Sequence, residues 1–216
     1  MAGAILARTG GVVPARVAFI AAPRVEAITL LHALVELGAC AVPLHPRATT
    51  TERRILLDGI APALFLDEDE VAALYSCTSD TIDAPERAAI PIDDAQPLAL
   101  LHTSGSTGRP KGVLLSRAAF TAAAAASAAV LGWRDEDRWL LCLPFAHVGG
   151  LSVIVRCLLA RRAVVLRSSG SAGFDAGATI DTMARDRVTL ASLVPAQLRK
   201  LLDLPGRAPP SLRAVL

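Results

Sequence analysis

A segment rich in glycine and hydroxyl residues lies between two short apolar runs and has the order T-S-G-S-T-G-R-P-K-G over residues 103–112. Glycine adopts backbone conformations closed to other residues, and successive main-chain N–H groups in such a turn can form a concave anion site. Ser and Thr hydroxyls add hydrogen-bond donors, and Lys111 adds a mobile positive charge. We therefore predict a polyphosphate-binding turn between a strand at Leu98 to Thr103 and a strand at Val113 to Leu115.

This segment is not a Walker A loop. Counting from Gly105, Pro110 stands where that motif requires its second glycine. Pro110 and Gly112 also oppose the helix into which a Walker loop opens. A Ser/Gly-rich surface turn is the plain structural alternative, but such a turn does not need this order of residues.

The rest of the chain alternates apolar runs with amphipathic runs. It begins with a predicted strand at Arg16 to Ala21 and a predicted helix at Arg24 to Leu37, whose apolar residues recur at helical spacing. After the turn, the main predicted elements are a helix at Arg117 to Leu131, strands at Arg138 to Leu143, Val188 to Val194 and Leu212 to Leu216, and a helix at Leu151 to Ala160. This rhythm predicts an α/β fold, with a layered, mainly parallel sheet flanked by helices.

Composition narrows the function classes. The chain has 216 residues, of which 53% are hydrophobic, so it can bury a core. Its net charge of +2 is too weak to indicate nucleic-acid binding. The four cysteines form no C-x-x-C pair and are interpreted as free thiols of a reducing, cytoplasmic compartment. The most apolar stretch, Leu140 to Ala160, is interrupted by Pro144 and Arg156 and does not indicate a membrane span.

The acidic run Asp67 to Glu70 has two interpretations, a metal site and a solvated helix start. Carboxylates favour helix N-termini, so the helix start is preferred.

A second informative stretch, L-P-F-A-H-V-G-G-L, covers residues 143–151. It places His147 at a predicted strand–helix junction, and ligands bind at the carboxyl ends of strands in open α/β sheets. A lone histidine there is also commonly a packed residue, so its role stays open on the residues alone. His102, beside the phosphate turn, is interpreted as a core or supporting residue.

The ten-residue turn resembles the phosphate-binding signature of the AMP-forming adenylate ligases, which include acyl-CoA synthetases. The resemblance implies that the β- and γ-phosphates of ATP are bound by Lys111 and by Thr103, Ser104, Gly105, Ser106, Thr107 and Gly108. The segment P-F-A-H-V-G-G-L is similar to that family's P-x-x-H-x-x-G-L pattern. It implies a catalytic role for His147 beside the acyl-adenylate carbonyl and the path of CoA.

Within the family, A-H-V-G-G-L-S and T-L-A-S-L-V-P-A-Q-L resemble the o-succinylbenzoate–CoA ligases of menaquinone synthesis. The implied partners are a small-molecule carboxylate, ATP and CoA, with Mg²⁺ held by a ligand outside this chain. The resemblance also implies that residues 1–96 are the first βαβ region of an AMP-binding domain. Residues 97–216 are then the phosphate-loop and acyl-pocket region of the same domain.

The family's later motifs, for adenine, ribose, the metal and a catalytic lysine, do not occur in these residues, and Lys111 cannot replace that lysine. We therefore expect the chain to correspond to the N-terminal half of such a ligase and not to catalyse a full ligation alone. Two alternatives stay open. One is an inactive or split-gene portion that needs a complementing C-terminal chain or a homo-oligomer. The other is a phosphate-binding domain of another kind, such as a kinase.

Overall fold

The computed structural model describes residues 1–79, 93–103, 110–167 and 173–216. The chain forms two compact units, Met1–Phe120 and Thr121–Leu216. The domain division drawn from the sequence at residues 96 and 97 stays a prediction.

The first unit is built on a five-stranded sheet with helices between the strands. Its strands are β1 (Arg16–Ile20), β2 (Cys40–Leu44), β3 (Leu64–Leu66), β4 (Pro97–Thr103) and β5 (Lys111–Ser116). Its helices are α1 (Ala2–Arg8), α2 (Val25–Leu37), α3 (Thr50–Ile60) and α4 (Glu68–Ser79), and α5 (Arg117–Leu131) begins in it.

The strand order is β3-β1-β2-β4-β5, which puts β5 at one edge. All neighbouring strands pair in parallel except β4 and β5, which pair antiparallel. The helices between β1, β2 and β3 supply the crossovers that parallel strands require. On one face, Leu56 and Leu57 of α3 pack against a buried cluster of the sheet that includes Ile20, Val42 and Leu100.

Side-chain caps fix where two helices of this unit begin. The Thr49 hydroxyl accepts from the Glu52 N–H at 3.2 Å, and the Glu52 carboxylate accepts from the Thr49 N–H at 2.7 Å, so both members of a capping box are present before α3. Asp67 and Glu70 exchange the same pair of bonds before α4, at 2.8 and 3.1 Å. The interpretation of the acidic run as a helix start is confirmed.

The second unit holds a smaller sheet whose strands all pair in parallel. Its strands are β6 (Arg138–Leu141), β7 (Ala163–Leu166), β8 (Leu190–Ala191) and β9 (Ala214–Val215), in the order β7-β6-β8-β9. Its helices are α6 (Val148–Ala160), α7 (Ala176–Arg185) and α8 (Pro195–Leu202), together with most of α5.

A buried ion pair joins three segments of the second unit. Arg213, just before β9, donates from Nε and Nη2 to the two carboxylate oxygens of Asp137 at 2.9 and 2.6 Å. The same guanidinium donates to the carbonyl oxygens of Leu131 and Gly132 at 2.9 and 2.6 Å, at the end of α5. The Thr189 hydroxyl donates to Asp137 at 2.7 Å. One arginine therefore ties β9 to the end of α5 and to the start of β6.

The predicted α/β class with mainly parallel strands is confirmed, and the strands are divided between two sheets. Several predicted bounds are wrong. Helix α6 begins at Val148 instead of Leu151, and β6 ends at Leu141 instead of Leu143. Strands β8 and β9 contain two residues each and are shorter than the strands predicted at Val188 to Val194 and at Leu212 to Leu216. Helix α1 was not expected, because Ile5 is its one buried residue and gives no periodic pattern.

None of the helices in the described parts of the chain combines the length and the apolarity that a membrane crossing requires.

Candidate functional site

Strands β4 and β5 carry the two ends of the predicted phosphate turn. Their antiparallel register places His102 opposite Gly112 and Thr103 opposite Lys111. The Thr103 hydroxyl oxygen lies 3.4 Å from the Lys111 carbonyl oxygen, to which it donates. The predicted strand–turn–strand arrangement is confirmed on its two strands.

The turn itself covers residues 104–109, which lie outside the described residues. Five of the predicted phosphate contacts belong to it: Ser104, Gly105, Ser106, Thr107 and Gly108. Their binding role stays a prediction, and the described part of the site consists of the two residues that flank the turn.

Those two flanking side chains, Thr103 and Lys111, are both exposed. The salt bridges found within the described ranges do not include Lys111, so its ammonium has no carboxylate within 4.0 Å there. An exposed, uncompensated ammonium at the end of a turn rich in donors suits a mobile, highly charged anion. The pair is therefore chemically fit to contact the distal part of a polyphosphate.

His102 lies one residue before Thr103 on the same strand, half-buried. Burial lowers the pKa of His102, because removing the ring from water disfavours its charged form. The ring is therefore mainly neutral at neutral pH and adds little charge to the phosphate turn.

His147 stands at a strand–helix junction of the second unit, as predicted. It is the N-cap residue of α6, with an extended backbone of φ −119° and ψ 153°, and its side chain is exposed. Its N–H donates to the Pro144 carbonyl oxygen at 3.1 Å, and its carbonyl accepts from Leu151 at 3.0 Å. The catalytic role of His147 stays a prediction.

The sequence analysis missed the residue that holds this junction in place. A Cβ atom at Gly150 would lie 2.5 Å from the Pro144 carbonyl oxygen and 2.6 Å from the Leu143 carbonyl oxygen. No side chain fits against backbone at that distance, so glycine is required because the 143–147 turn packs on the first turn of α6. A Cβ at Gly149 would meet only Leu143 Cδ1, at 3.0 Å. The sequence signal for this contact is the Gly149–Gly150 pair. Only Gly150 lies so close to the backbone that a side chain is excluded.

A metal site is not assembled by the described residues, which contain no grouping of three or more His, Cys, Asp or Glu side chains that could hold an ion. Asp67 and Glu70 are used as helix caps.

These features agree with a comparison to protein families. The family model described as "AMP-binding enzyme" matches residues 1–216, the whole chain. The chain belongs to this family. The strand pair β4–β5 and the N-cap of α6 are therefore features of an AMP-binding-enzyme chain.

Relatives of this AMP-binding-enzyme chain include two curated ligases. A 2-succinylbenzoate–CoA ligase of Bacillus pumilus is 33% identical over 201 residues, which cover 88% of this chain and 40% of the relative. The corresponding ligase of Bacillus velezensis is 33% identical over 211 residues, covering 93% of this chain and 42% of the relative. The chain thus spans about two-fifths of the length of the curated relatives that it matches.

Two solved structures of one bacterial synthetase are also similar to this chain. An o-succinylbenzoate CoA synthetase (MenE) from Bacillus subtilis, in complex with the acyl-adenylate intermediate OSB-AMP, has a TM-score of 0.83 at 28% identity. The alignment covers 99% of this chain and 58% of that one. The same synthetase in complex with ATP and magnesium ion has a TM-score of 0.81 at 28% identity, covering 99% of this chain and 46% of that one.

Proposed function

We propose that this chain is the phosphate-binding and acyl-positioning portion of an AMP-forming carboxylate–CoA ligase that acts on o-succinylbenzoate. The observation that carries the proposal is the β4–β5 pair, which sets Thr103 and Lys111 at the two ends of T-S-G-S-T-G-R-P-K-G in a chain of the AMP-binding enzyme family. The acyl substrate is inferred from the similarity to the relatives named above, and the pathway would be menaquinone biosynthesis.

The reaction has two steps. A carboxylate oxygen of the substrate attacks the α-phosphorus of ATP, and the bond to pyrophosphate breaks. The CoA sulfur then attacks the acyl carbon, its proton leaves, and the bond to AMP breaks. The first step needs the pyrophosphate charge neutralised and the leaving group held in line with the attacking oxygen.

Lys111 and Thr103 would act on the leaving group in the first step. The Lys111 ammonium lies on an exposed edge strand, where it can contact the β- and γ-phosphate oxygens. Thr103 faces it across the strand pair and can donate its hydroxyl to the same anion in place of the 3.4 Å bond to Lys111. The hydroxyls and N–H groups of residues 104–108 would complete the site.

His147 would position the acyl group, from an N-cap that the contact at Gly150 fixes against the 143–147 turn. Mg²⁺ would neutralise phosphate charge when bound, but the described residues do not fit an ion site, so we assign no step to the metal. We place the reaction in the cytoplasm, because Cys40, Cys77, Cys142 and Cys157 are free thiols.

Nucleotide binding tests the proposal. The chain has two lysines, Lys111 and Lys200, and both are exposed, so Lys200→Ala is a matched control. Losing one charge-assisted contact to phosphate should weaken ATP binding by roughly tenfold or more in Lys111→Ala. AMP lacks the distal phosphates, so its affinity should stay within about twofold. Calorimetry of both nucleotides gives the comparison, with the wild-type chain and both variants each supplemented by the unaligned part of the Bacillus pumilus ligase as a separate polypeptide.

Two results would contradict the assignment. One is an equal loss of ATP and AMP affinity in Lys111→Ala, and the other is an equal loss of ATP affinity in Lys111→Ala and Lys200→Ala.

A further inference from the structure

A cavity beside the phosphate turn opens between α3 and the β4–β5 pair within the first unit, and Pro110 and Gly112 belong to its lining. Its volume is about 270 Å³, and its lining is shared between aliphatic and polar groups. Ile55 and Leu56 of α3 form one side, and Leu100 of β4 and Leu114 of β5 form the other. Ile55 is 53% exposed and Leu114 is 51% exposed, so the cavity is open at its mouth.

The cavity follows from the sheet register and from the position of α3. Leu100 pairs with Leu114 and His102 pairs with Gly112, so these four positions share one face of the sheet. Helix α3 packs on the cluster formed mainly by β1 and β2, which leaves the face of β4 and β5 partly uncovered. At Gly112 a Cβ atom would lie 3.1 Å from Leu100 Cδ2, so the missing side chain keeps this space open.

Two polar side chains, Arg16 and His102, share the cavity lining with the aliphatic residues. Arg16 uses Nη1 to donate to the Ile60 carbonyl oxygen at 2.8 Å, and no carboxylate of the described residues lies within 4.0 Å of it. The ring of His102 has no hydrogen-bond partner in the described part of the chain. Counting only partners among the described residues, the cavity holds one positive charge without a carboxylate and one imidazole without a hydrogen bond.

We propose that this cavity binds a small carboxylic acid as its monoanion, with the carboxylate on Arg16 and a compact aryl or branched alkyl body between α3 and the β4–β5 face. One guanidinium matches one negative charge, and a phosphomonoester dianion would bring a second charge that no lining residue balances. A volume near the lower end for ligand pockets, about 300 Å³, selects a small molecule.

This site does not rest on the proposed function. The residues that line it are not among the predicted ATP contacts, and they belong to one compact unit. A chain that failed to bind ATP could still bind a carboxylate here, so the two proposals fail separately.

The probe for the test is phenylacetate, with phenylacetamide as its neutral analogue. Binding to the full chain is measured by saturation-transfer NMR titration, and thermal unfolding checks the fold of every variant. Leu114→Glu places a negative charge at the mouth, while Val113→Glu places one on the opposite face, at a residue 41% exposed that does not line the cavity. Arg16→Gln removes the charge, and Arg16→Lys keeps it.

We expect saturable phenylacetate binding that weakens about tenfold or more in Leu114→Glu and in Arg16→Gln, because a repulsive charge is added or the attractive one is lost. Val113→Glu and Arg16→Lys should stay within about threefold of the wild-type chain. Absence of saturable binding up to about 10 mM, equal binding of phenylacetamide, or equal losses in the two glutamate variants would each overturn the proposal.

Discussion

At the scale of single residues, Asp137 carries a negative charge where water does not reach it. Its side chain is 0% exposed. Burial alone would raise the pKa of Asp137, but hydrogen bonds from the Arg213 guanidinium, the Arg134 N–H and the Thr189 hydroxyl outweigh it and lower the pKa to about 2. Because the charged form is held by the folded chain, the second unit gains stability from it that depends on pH.

A pKa lowered in the folded state stabilises the protein above the unfolded value and loses that effect as pH falls through the folded value. For Asp137 these values are 3.8 and about 2, and the difference is worth about 2 kcal/mol. Asp137→Asn should lower the free energy of unfolding by about 3 kcal/mol at pH 7, because Arg213 is left without its anion. The fall in stability between about pH 4 and pH 2 should also become shallower than in the wild-type chain.

Urea denaturation across that pH range measures both effects. Asp135→Asn is the control, because Asp135 also pairs with an arginine but its side chain is 99% exposed. Its effect should be below about 1 kcal/mol. Equal losses at Asp135 and Asp137 would show that burial is not the cause.

Two adjacent glycines give another residue-scale prediction. Gly150→Ala should lower the melting temperature by several degrees, because its Cβ would press on backbone carbonyls at 2.5–2.6 Å, an overpacking of about 1–3 kcal/mol. Gly149→Ala should be close to neutral, because Leu143 can turn its Cδ1 away and alanine favours the helix. Scanning calorimetry of both variants is the measurement. A larger loss for Gly149→Ala would contradict the assignment of the tight contact.

At the scale of helices and strands, the helix starts that can be predicted from the sequence are those marked by a capping side chain. Helix α3 begins after the Thr49 cap, and α5 begins after Ser116, whose hydroxyl accepts from the Ala119 N–H at 3.2 Å; Thr and Ser are residue types that mark helix starts in a sequence. Each cap joins residues that are three positions apart, so it can be recognised in a sequence. The length of β8 depends on partners distant in sequence, which no local pattern encodes. The start of α6 depends on packing at Gly150 against residues 143 and 144, for which the Gly149–Gly150 pair is the sequence signal.

The same limit applies to the candidate site. The Thr103–Lys111 pairing could be predicted because the turn and its strands are contiguous in sequence. The cavity lined by Arg16 and His102 could not be predicted from the sequence, because it combines one residue of β1 with residues of α3 and of the β4–β5 pair.

The cap of α3 can be tested at this scale. Thr49→Ala removes the hydroxyl that accepts from the Glu52 N–H, while the Glu52 carboxylate can still accept from the backbone N–H of residue 49, and the loss should cost about 1 kcal/mol of stability. Thr51→Ala, inside the same helix and exposed, should be neutral or slightly stabilising, because alanine is the better helix former. Chemical denaturation compares the two. Similar values for both would mean that helix propensity, and not the cap, dominates.

At the scale of the whole molecule, the proposed chemistry needs more groups than the described residues provide. The chain spans about two-fifths of its curated relatives, and its described residues include no metal cluster. Misplacing reacting groups by about an ångström already costs on the order of a hundredfold in rate.

We therefore expect no ATP–pyrophosphate exchange above background from this chain alone with o-succinylbenzoate. The control adds the unaligned part of the Bacillus pumilus ligase as a separate polypeptide, and any exchange that appears should be lost in Lys111→Ala. Robust exchange by the chain alone would show that its own residues suffice.

The ion pair of Arg213 with Asp137 also bears on the order in which the second unit folds. The two residues are 76 positions apart, so their contact closes a long loop of chain. At a synthesis rate of 5–20 residues per second, Asp137 precedes Arg213 from the ribosome by roughly 4 to 15 s. During that interval the aspartate has no guanidinium to offset its burial. The end of α5 and strands β6 and β8 should therefore stay loosely packed until Arg213 arrives, which makes this contact a late step in the folding of the second unit.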